Sequence, residues 1–264
     1  MAPRAADYRY FDAPFIPLAH RGGSLLPGNV GRENTVFAFA QAVALGYRWL
    51  ETDVHVTADG VLVAFHDDRL DRVCDDGATG LIAELPWSEL QQVRVGGEPI
   101  PTLAELLDTF DEQFFNIDIK APGAVEPLAG VLAALHAQDR VCVGSFSRDR
   151  LAAFRRLMGT RVATSVNPPG VAWSAFVPVL PRFLHDDGVA FQVPVRWPVR
   201  GREVPIVTPG LIARAHAAGQ QVHVWTIDDP AEMNRLIDLG VDGLVTDRPE
   251  LLKEVCQGRG IWPG

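Results

Sequence analysis

Short apolar runs recur along the chain, each bounded by polar residues or glycine and separated from the next by a stretch of helical periodicity. Strands are predicted near 16–20, 48–54, 114–119, 141–145, 162–166, 189–193, 221–226 and 243–246. Helices are predicted near 34–46, 102–110, 124–137, 148–158, 171–186, 208–218 and 229–239. Thr35, Thr102, Thr208 and Asp228 stand where N-caps fall, and Gly46, Gly219 and Gly240 follow the helical patterns as C-terminal glycines do. Strand and helix alternate, which implies a parallel sheet. Eight such strands suit an α/β protein of the (β/α)8 TIM barrel class, its last helix formed by Pro249 to Gln257.

One strand breaks the alternation. Only Thr57-Ala58-Asp59-Gly60 separates the run near 61–66 from its predecessor, far too short for a parallel crossover, so this strand returns as an antiparallel hairpin. Pairing about Ala58 and Asp59 sets His66 opposite Glu51 and Ala64 opposite Asp53, which predicts that His66 shares a face with the two acids. Residues 67–98 then form a long excursion with short helical patterns such as Trp87 to Val93.

The predicted strand ends carry the chemistry. Glu51 and Asp53 lie two apart between Trp49-Leu50 and Val54, so both side chains point to one face, and a buried pair of like charges needs a cation or a proton. Asp118, in Asn116-Ile117-Asp118-Ile119-Lys120, can complete an all-oxygen site, which favours Mg²⁺ or Ca²⁺ over Zn²⁺. His20 ends the first strand. With His66 it offers two groups of near-neutral pKa, enough to divide a proton removal from a proton delivery. Arg21 and Lys120 can neutralise phosphate oxygens, and Trp225, in an apolar strand, can line the pocket. Glu33 opens a helix, where an acid is favoured in any case. His55 reads as an exposed strand residue, and Asp67 as a group that orients His66.

Composition narrows the partners. With 47% hydrophobic and 22% charged residues the chain has an ordinary globular balance, and one domain over 1–264 is the simplest reading. A net charge of -9 argues against sequence-independent nucleic-acid binding. Three widely spaced cysteines, Cys74, Cys142 and Cys256, fit a reduced cytoplasmic protein better than a disulfide scaffold. The N-terminus lacks the apolar core of a secretory signal and no apolar run is long enough to cross a bilayer, so neither secretion nor stable membrane insertion is expected.

Taken in order, Ala19-His20-Arg21-Gly22, Glu33-Asn34-Thr35, Glu51-Thr52-Asp53, Thr57-Ala58-Asp59-Gly60 and His66-Asp67 make a specific set. Further landmarks are Ile100-Pro101-Thr102-Leu103, Asn116 to Lys120, Val224-Trp225-Thr226 and Gly240 to Pro249. The ordered set resembles the glycerophosphodiester phosphodiesterase family, within the phosphatidylinositol-phospholipase-C-like phosphodiesterases, over nearly the whole chain. The chain departs from that pattern in a longer Ser24 to Arg32 link and in Asp118, where many members carry Glu. The resemblance implies a TIM barrel whose mouth is capped by the 67–98 insertion. It implies His20 and His66 as the acid/base couple, a divalent cation held by Glu51, Asp53 and Asp118, and a place for Glu33 in the metal or substrate shell.

The reaction so implied is hydrolysis of a small-molecule glycerophosphodiester to glycerol 3-phosphate and an alcohol. Two rivals stand beside it: phospholipase-D-like cleavage of lysophospholipids, for which the apolar Trp173 to Leu184 stretch could supply a groove, and a non-catalytic barrel that binds a phosphorylated ligand. The glycine- and proline-punctuated 24–32 segment reads as a mobile loop beside the pocket.

Overall fold

The computed structural model describes residues 2–176, 187–199 and 201–264. Its strands, in chain order, are β1 (Ile16–His20), β2 (Trp49–Val56), β3 (Leu62–Ala64), β4 (Arg94–Val95), β5 (Glu98–Pro99), β6 (Phe114–Ile119) and β7 (Val141–Gly144). They continue as β8 (Ala163–Thr164), β9 (Ala190–Pro194), β10 (Arg196–Val199), β11 (Arg202–Pro205), β12 (Gln221–Trp225) and β13 (Gly243–Thr246). The main sheet runs β8-β7-β6-β2-β1-β13-β12-β9, with every neighbour along that path parallel. Its two ends meet where Val189 N–H donates to the Thr164 carbonyl and Val166 N–H to the Ala190 carbonyl, both at 2.8 Å. The eight predicted parallel strands therefore form a (β/α)8 TIM barrel.

Helices fill the crossovers: α1 (Val36–Ala44), α2 (Trp87–Leu90), α3 (Leu103–Thr109), α4 (Val125–Ala134), α5 (Arg148–Met158), α6 (Pro168–Phe176), α7 (Pro209–Ala217), α8 (Pro230–Leu239) and α9 (Pro249–Gly258). Thr35, Thr102 and Thr208 cap α1, α3 and α7 as expected, each side chain accepting from a backbone N–H three residues on. The fourth cap is Asp229, not Asp228, because Asp228 is spent on the strand end of β13. The predicted 171–186 helix is only partly within the described residues; α6 covers its start and 177–186 lies outside them, as does most of the Trp173 to Leu184 stretch.

The period-two alternation of β-strands divides each barrel strand between two environments. Leu50 and Val54 face outward and pack with Leu103, Leu106 and Leu107 of α3. Trp49 faces inward and joins Ile16, Leu18, Phe114, Cys142, Ala163, Ala190 and Val245 in an apolar interior. Two 3₁₀ turns, Ala5–Asp7 and Arg9–Phe11, bring Tyr10 and Phe11 into the same cluster, and the Tyr10 carbonyl accepts the Trp49 Nε1–H at 2.9 Å. Further along the same strands the inward positions turn polar: Glu51 and Asp53 on β2, Asn116 and Asp118 on β6, Gln192 on β9.

The hairpin register differs from the expected one by a residue. Val54, not Asp53, stands opposite Ala64, which on an unbroken strand would turn His66 to the outer face with Thr52 and Val54. The strand ends at Ala64 instead, and the bend beyond it returns His66 to the barrel mouth. The excursion that follows has its own small core, Leu70, Ile82, Leu90 and Val95 packed with Val63 and Phe65, plus a short β4–β5 ribbon. A second hairpin, β10–β11, follows β9 and was not foreseen, since its Arg-Trp-Pro-Val run carries no clean alternation.

Candidate active site at the barrel mouth

The first strand ends on a tight turn that needs glycine at position 22. Arg21 adopts a left-handed conformation (φ 52°) and Gly22 follows at φ 83°, where an added Cβ would come within 2.8 Å of Ala38 on α1. That turn keeps the helix close and aims His20 and Arg21 at the mouth. The 24–32 segment is tied down rather than loose: buried Asn29 donates through its Nδ2 to the carbonyls of Gly22, Gly23 and Ala38, and Leu25 N–H donates to the Asp247 carbonyl.

A cavity of about 360 Å³ opens at the C-terminal ends of the strands. His20, Arg21, Glu51, Asp53, His66, Asp118, Lys120 and Trp225 all line it. Glu33 does not. It lies two residues before the α1 cap rather than in the helix, and both its oxygens are taken by arginine: Arg21 Nη1 at 3.1 Å and Arg72 Nη2 at 2.6 Å on Oε1, and Arg72 Nη1 at 3.0 Å on Oε2. Burial raises the Glu33 pKa, but these guanidinium groups outweigh it and hold the carboxyl below its usual value.

Both histidines are fixed through Nδ1. His20 Nδ1 lies 2.7 Å from Asp247 Oδ1, which also accepts from Ser24 Oγ at 2.6 Å, and its Nε2 lies 3.7 Å from Glu51 Oε2. Asp228 Oδ1 in turn accepts from Thr246 Oγ1 and the Asp247 N–H. Burial depresses the His20 pKa, yet Glu51 and Asp247 prevail and raise it. His66 Nδ1 lies 2.6 Å from Asp67 Oδ1, and its carbonyl accepts from His55 Nε2 at 3.1 Å. His55 is thus a buried brace of the His66 backbone, not an exposed strand residue.

Between the histidines sit carboxylates interleaved with cations. Lys120 Nζ is 2.9 Å from Asp53 Oδ1 and 2.7 Å from Asp118 Oδ2, and Arg21 Nε is 3.3 Å from Asp53 Oδ2. Burial would raise the Asp53 pKa, but Lys120 and Arg21 lower it on balance. Glu51 has no such lysine contact. Burial first, and then the neighbouring Asp53 charge, push it up to about 7. Asp118 is raised as well, by burial, and its Oδ1 is buried with no hydrogen-bond partner.

Among the described residues no three acidic, histidine or cysteine groups already stand close enough to hold a metal ion, since Lys120 and Arg21 lie among the carboxylates. The chemistry of the donor set nonetheless fits a hard cation. An orphaned buried carboxylate oxygen on Asp118, and a Glu51 whose charged form is disfavoured, are what such a site shows without its positive charge.

Three comparisons bear on this geometry. The model of the glycerophosphoryl diester phosphodiesterase family matches residues 20–251. The chain belongs to that family. A Mycobacterium tuberculosis protein named "Probable glycerophosphodiester phosphodiesterase 2" is 40% identical over 253 residues, covering 94% of this chain and 93% of its own length. An Oleispira antarctica phosphodiesterase, solved in complex with the product sn-glycerol-3-phosphate, superposes with a TM-score of 0.73 at 25% identity over 92% of this chain and 96% of its own. A glycerophosphodiester phosphodiesterase from Agrobacterium tumefaciens shares the fold at a TM-score of 0.72 and 24% identity, over 90% of this chain and 98% of its own. This glycerophosphoryl diester phosphodiesterase family member is accordingly a phosphoric diester hydrolase, and the homologues support activity on glycerophosphodiesters.

Several supporting residues escaped sequence reading. Asp247 lay within the Gly240 to Pro249 landmark, but nothing local tied it to His20, 227 positions away. Asn34 is held at φ 58°, accepts from Thr52 Oγ1 at 2.8 Å and faces Asp53 at 3.4 Å through Nδ2. Arg150 of α5 donates to Ser145 Oγ and to the Lys120 carbonyl, which fixes the end of β6. Of these, Asn34 alone carried a signal in its residue type, since Asn adopts the left-handed region more readily than most residues.

Proposed function

We propose that this protein hydrolyses water-soluble glycerophosphodiesters, glycerophosphocholine among them, to sn-glycerol 3-phosphate and the free alcohol, with His20 and His66 as the acid/base couple. The observation that carries this is that both histidines line one cavity with Glu51 and Asp53, each with its Nδ1 held by a carboxylate. That pairing fixes the tautomer and leaves Nε2 as the working nitrogen. The sn-glycerol-3-phosphate found in the Oleispira relative supports the same product here.

In this reading Arg21 and Lys120 draw the phosphate oxygens into the mouth and stabilise the charge that grows on them. One histidine removes the proton of the neighbouring glycerol hydroxyl as it attacks phosphorus. The other delivers a proton to the departing alkoxide, so the alcohol leaves neutral and a cyclic phosphodiester remains. Water then attacks phosphorus; the second histidine, now neutral, takes its proton, and the first returns one to the ring oxygen that departs. Glu51, Asp53 and Asp118 would hold one divalent cation, Mg²⁺ or Ca²⁺, which supplies Lewis acidity and charge neutralisation at the phosphate. Glu33 takes no place in that ligand set; it holds Arg21. Trp225, half-buried and in edge contact with Phe146 at 5.6 Å, lines the wall against the alcohol. Free Cys74, Cys142 and Cys256 agree with a reducing, cytoplasmic setting, and no helix among the described residues is long and apolar enough to cross a membrane.

The test is release of glycerol 3-phosphate from glycerophosphocholine after chelation, with Mg²⁺, Ca²⁺ or Mn²⁺ restored separately. Turnover recovered by one ion supports the reading, and none with any ion refutes it. His20→Ala and His66→Ala divide the roles: on a diester with a nitrophenolate leaving group, which departs without a proton, the variant lacking the acid keeps its first-turnover release of nitrophenolate, and the one lacking the base does not.

A second reading is favoured by one feature. Part of the cavity wall is apolar, formed by Val166, Val171, Val193, Trp197, Ile206 and Trp225. Such a wall suits the acyl chain of a lysophospholipid cleaved at the same site. Rates on glycerophosphocholine and on lysophosphatidylcholine below its micelle concentration separate the two.

A further inference from the structure

We propose that Arg72, on the insertion after the β2–β3 hairpin, is a positioning residue that sets both His66 and Arg21. Its guanidinium spans two carboxylates from different segments, Asp67 and Glu33, that stand behind the residues lining the cavity. Nε donates to Asp67 Oδ2 at 2.5 Å, while Nη1 and Nη2 form a fork on Glu33. Each carboxylate has a second task. Asp67 Oδ1 lies against His66 Nδ1 at 2.6 Å, and Glu33 Oε1 accepts from Arg21 Nη1 at 3.1 Å.

The path therefore runs His66–Asp67–Arg72–Glu33–Arg21, and Arg72 is its midpoint. One cation takes the outer oxygen of Asp67 and leaves the inner oxygen for the histidine, so the carboxyl cannot rotate away. The same cation fixes the plane of the Glu33 carboxylate and hence the reach of Arg21 toward Asp53. A lysine could supply the charge but not the three-point geometry, because an ammonium lacks the planar fork. The Arg72 side chain is about half exposed, at 47%, so its ion pairs contribute little to stability. Its effect falls on geometry, where displacement of a catalytic group by about 1 Å can cost about a hundredfold in rate. The role rests on the phosphodiesterase reading above, yet the histidine contact it invokes is measurable without turnover.

The experiment compares wild type with Arg72→Gln, which keeps much of the stem, Arg72→Lys, and Arg69→Ala as a control on the same insertion, where Arg69 pairs with Asp71 at 3.1 Å and, among the described residues, with no other acid. Wild-type turnover of glycerophosphocholine is read first, and the ¹⁵N signals of the His66 ring are followed in parallel. Expected are a fall in kcat of about tenfold to a hundredfold in Arg72→Gln, a melting temperature within about 2 °C of wild type, incomplete recovery in Arg72→Lys, and a shifted His66 signal. Arg69→Ala should match wild type. In an Asp67→Asn, Glu33→Gln background, Arg72→Gln should cost far less than it does alone, because the groups it acts through are gone. The proposal is overturned by an unchanged kcat in Arg72→Gln, by an equal loss in Arg69→Ala, or by full additivity in that background. If wild type itself is silent on the diester, the phosphodiesterase reading fails separately, and an unmoved His66 signal in Arg72→Gln overturns the positioning role.

Discussion

Replacing Asp247 by Asn should slow turnover while leaving the barrel intact, and the size of the effect follows from three contacts. Asp247 Oδ1 lies 2.7 Å from His20 Nδ1 and accepts from Ser24 Oγ at 2.6 Å, while Asp228 holds the Asp247 backbone at 2.8 Å. Asn keeps the shape and the backbone anchor but removes the charge. It can also turn its amide N–H toward the ring and reverse the tautomer, leaving the wrong nitrogen protonated at the cavity. A hydrogen bond to a charged group is worth about 1.5–3 kcal/mol. With each 1.36 kcal/mol a factor of ten in rate, kcat should fall about tenfold to a hundredfold, and further if the tautomer reverses. KM should change little, since Arg21 and Lys120 are untouched. The assay is steady-state release of glycerol 3-phosphate with melting temperature followed alongside. A variant with wild-type kcat and an unaltered melting temperature would refute the argument that Asp247 orients His20.

Two further outcomes follow from burial. Glu51 has a folded pKa of about 7 against a reference of 4.5, so folding carries a penalty that grows as pH rises through that window; in chelated protein at pH 8, Glu51→Gln should be more stable than wild type by about 1–3 kcal/mol in urea titrations while losing turnover. A less stable Glu51→Gln would show that the carboxylate is not strained by its neighbours. His223 is fully buried in the barrel interior beside Phe11 and burial lowers its pKa from 6.5 to about 3, so the unfolded chain takes up a proton between those values that the folded chain refuses. Its neutral form leaves stability intact above pH 6.5, and acidification from pH 6 to pH 4 removes about 2 kcal/mol through this group. His223→Gln should flatten that part of the stability profile, and a slope equal to wild type would assign the acid sensitivity elsewhere.

Much of the barrel was legible because it depends on local pattern. Apolar runs separated by helical stretches gave all eight parallel strands, and threonines before helices gave three caps, since a hydroxyl reaches a nearby backbone N–H whatever the rest of the chain does. The fourth cap was misplaced by one residue for a tertiary reason: Asp228 is drawn to Thr246 and Asp247, leaving Asp229 for the helix. The hairpin register went wrong similarly. A four-residue link does not fix pairing to the residue, and the bend after Ala64 that recovers His66 has no marker in the alternation.

For the site, residue type and spacing were enough to name the groups that gather at the mouth, because strand ends in a parallel barrel converge by topology. His20, Glu51, Asp53, Asp118 and Lys120 needed only to lie at the right end of their strands. What spacing could not convey is which charge answers which. Lys120 lies between Asp53 and Asp118 while Glu51 stays without a lysine partner, Glu33 faces two arginines instead of joining the acids, and Asp247 reaches across to His20. The sequence by itself determined the strands, their order of chemistry and the acids and bases available. Only the tertiary structure decided their pairing, because a charge buried in low dielectric is governed by groups within a few ångströms, and those come from segments that the chain keeps far apart.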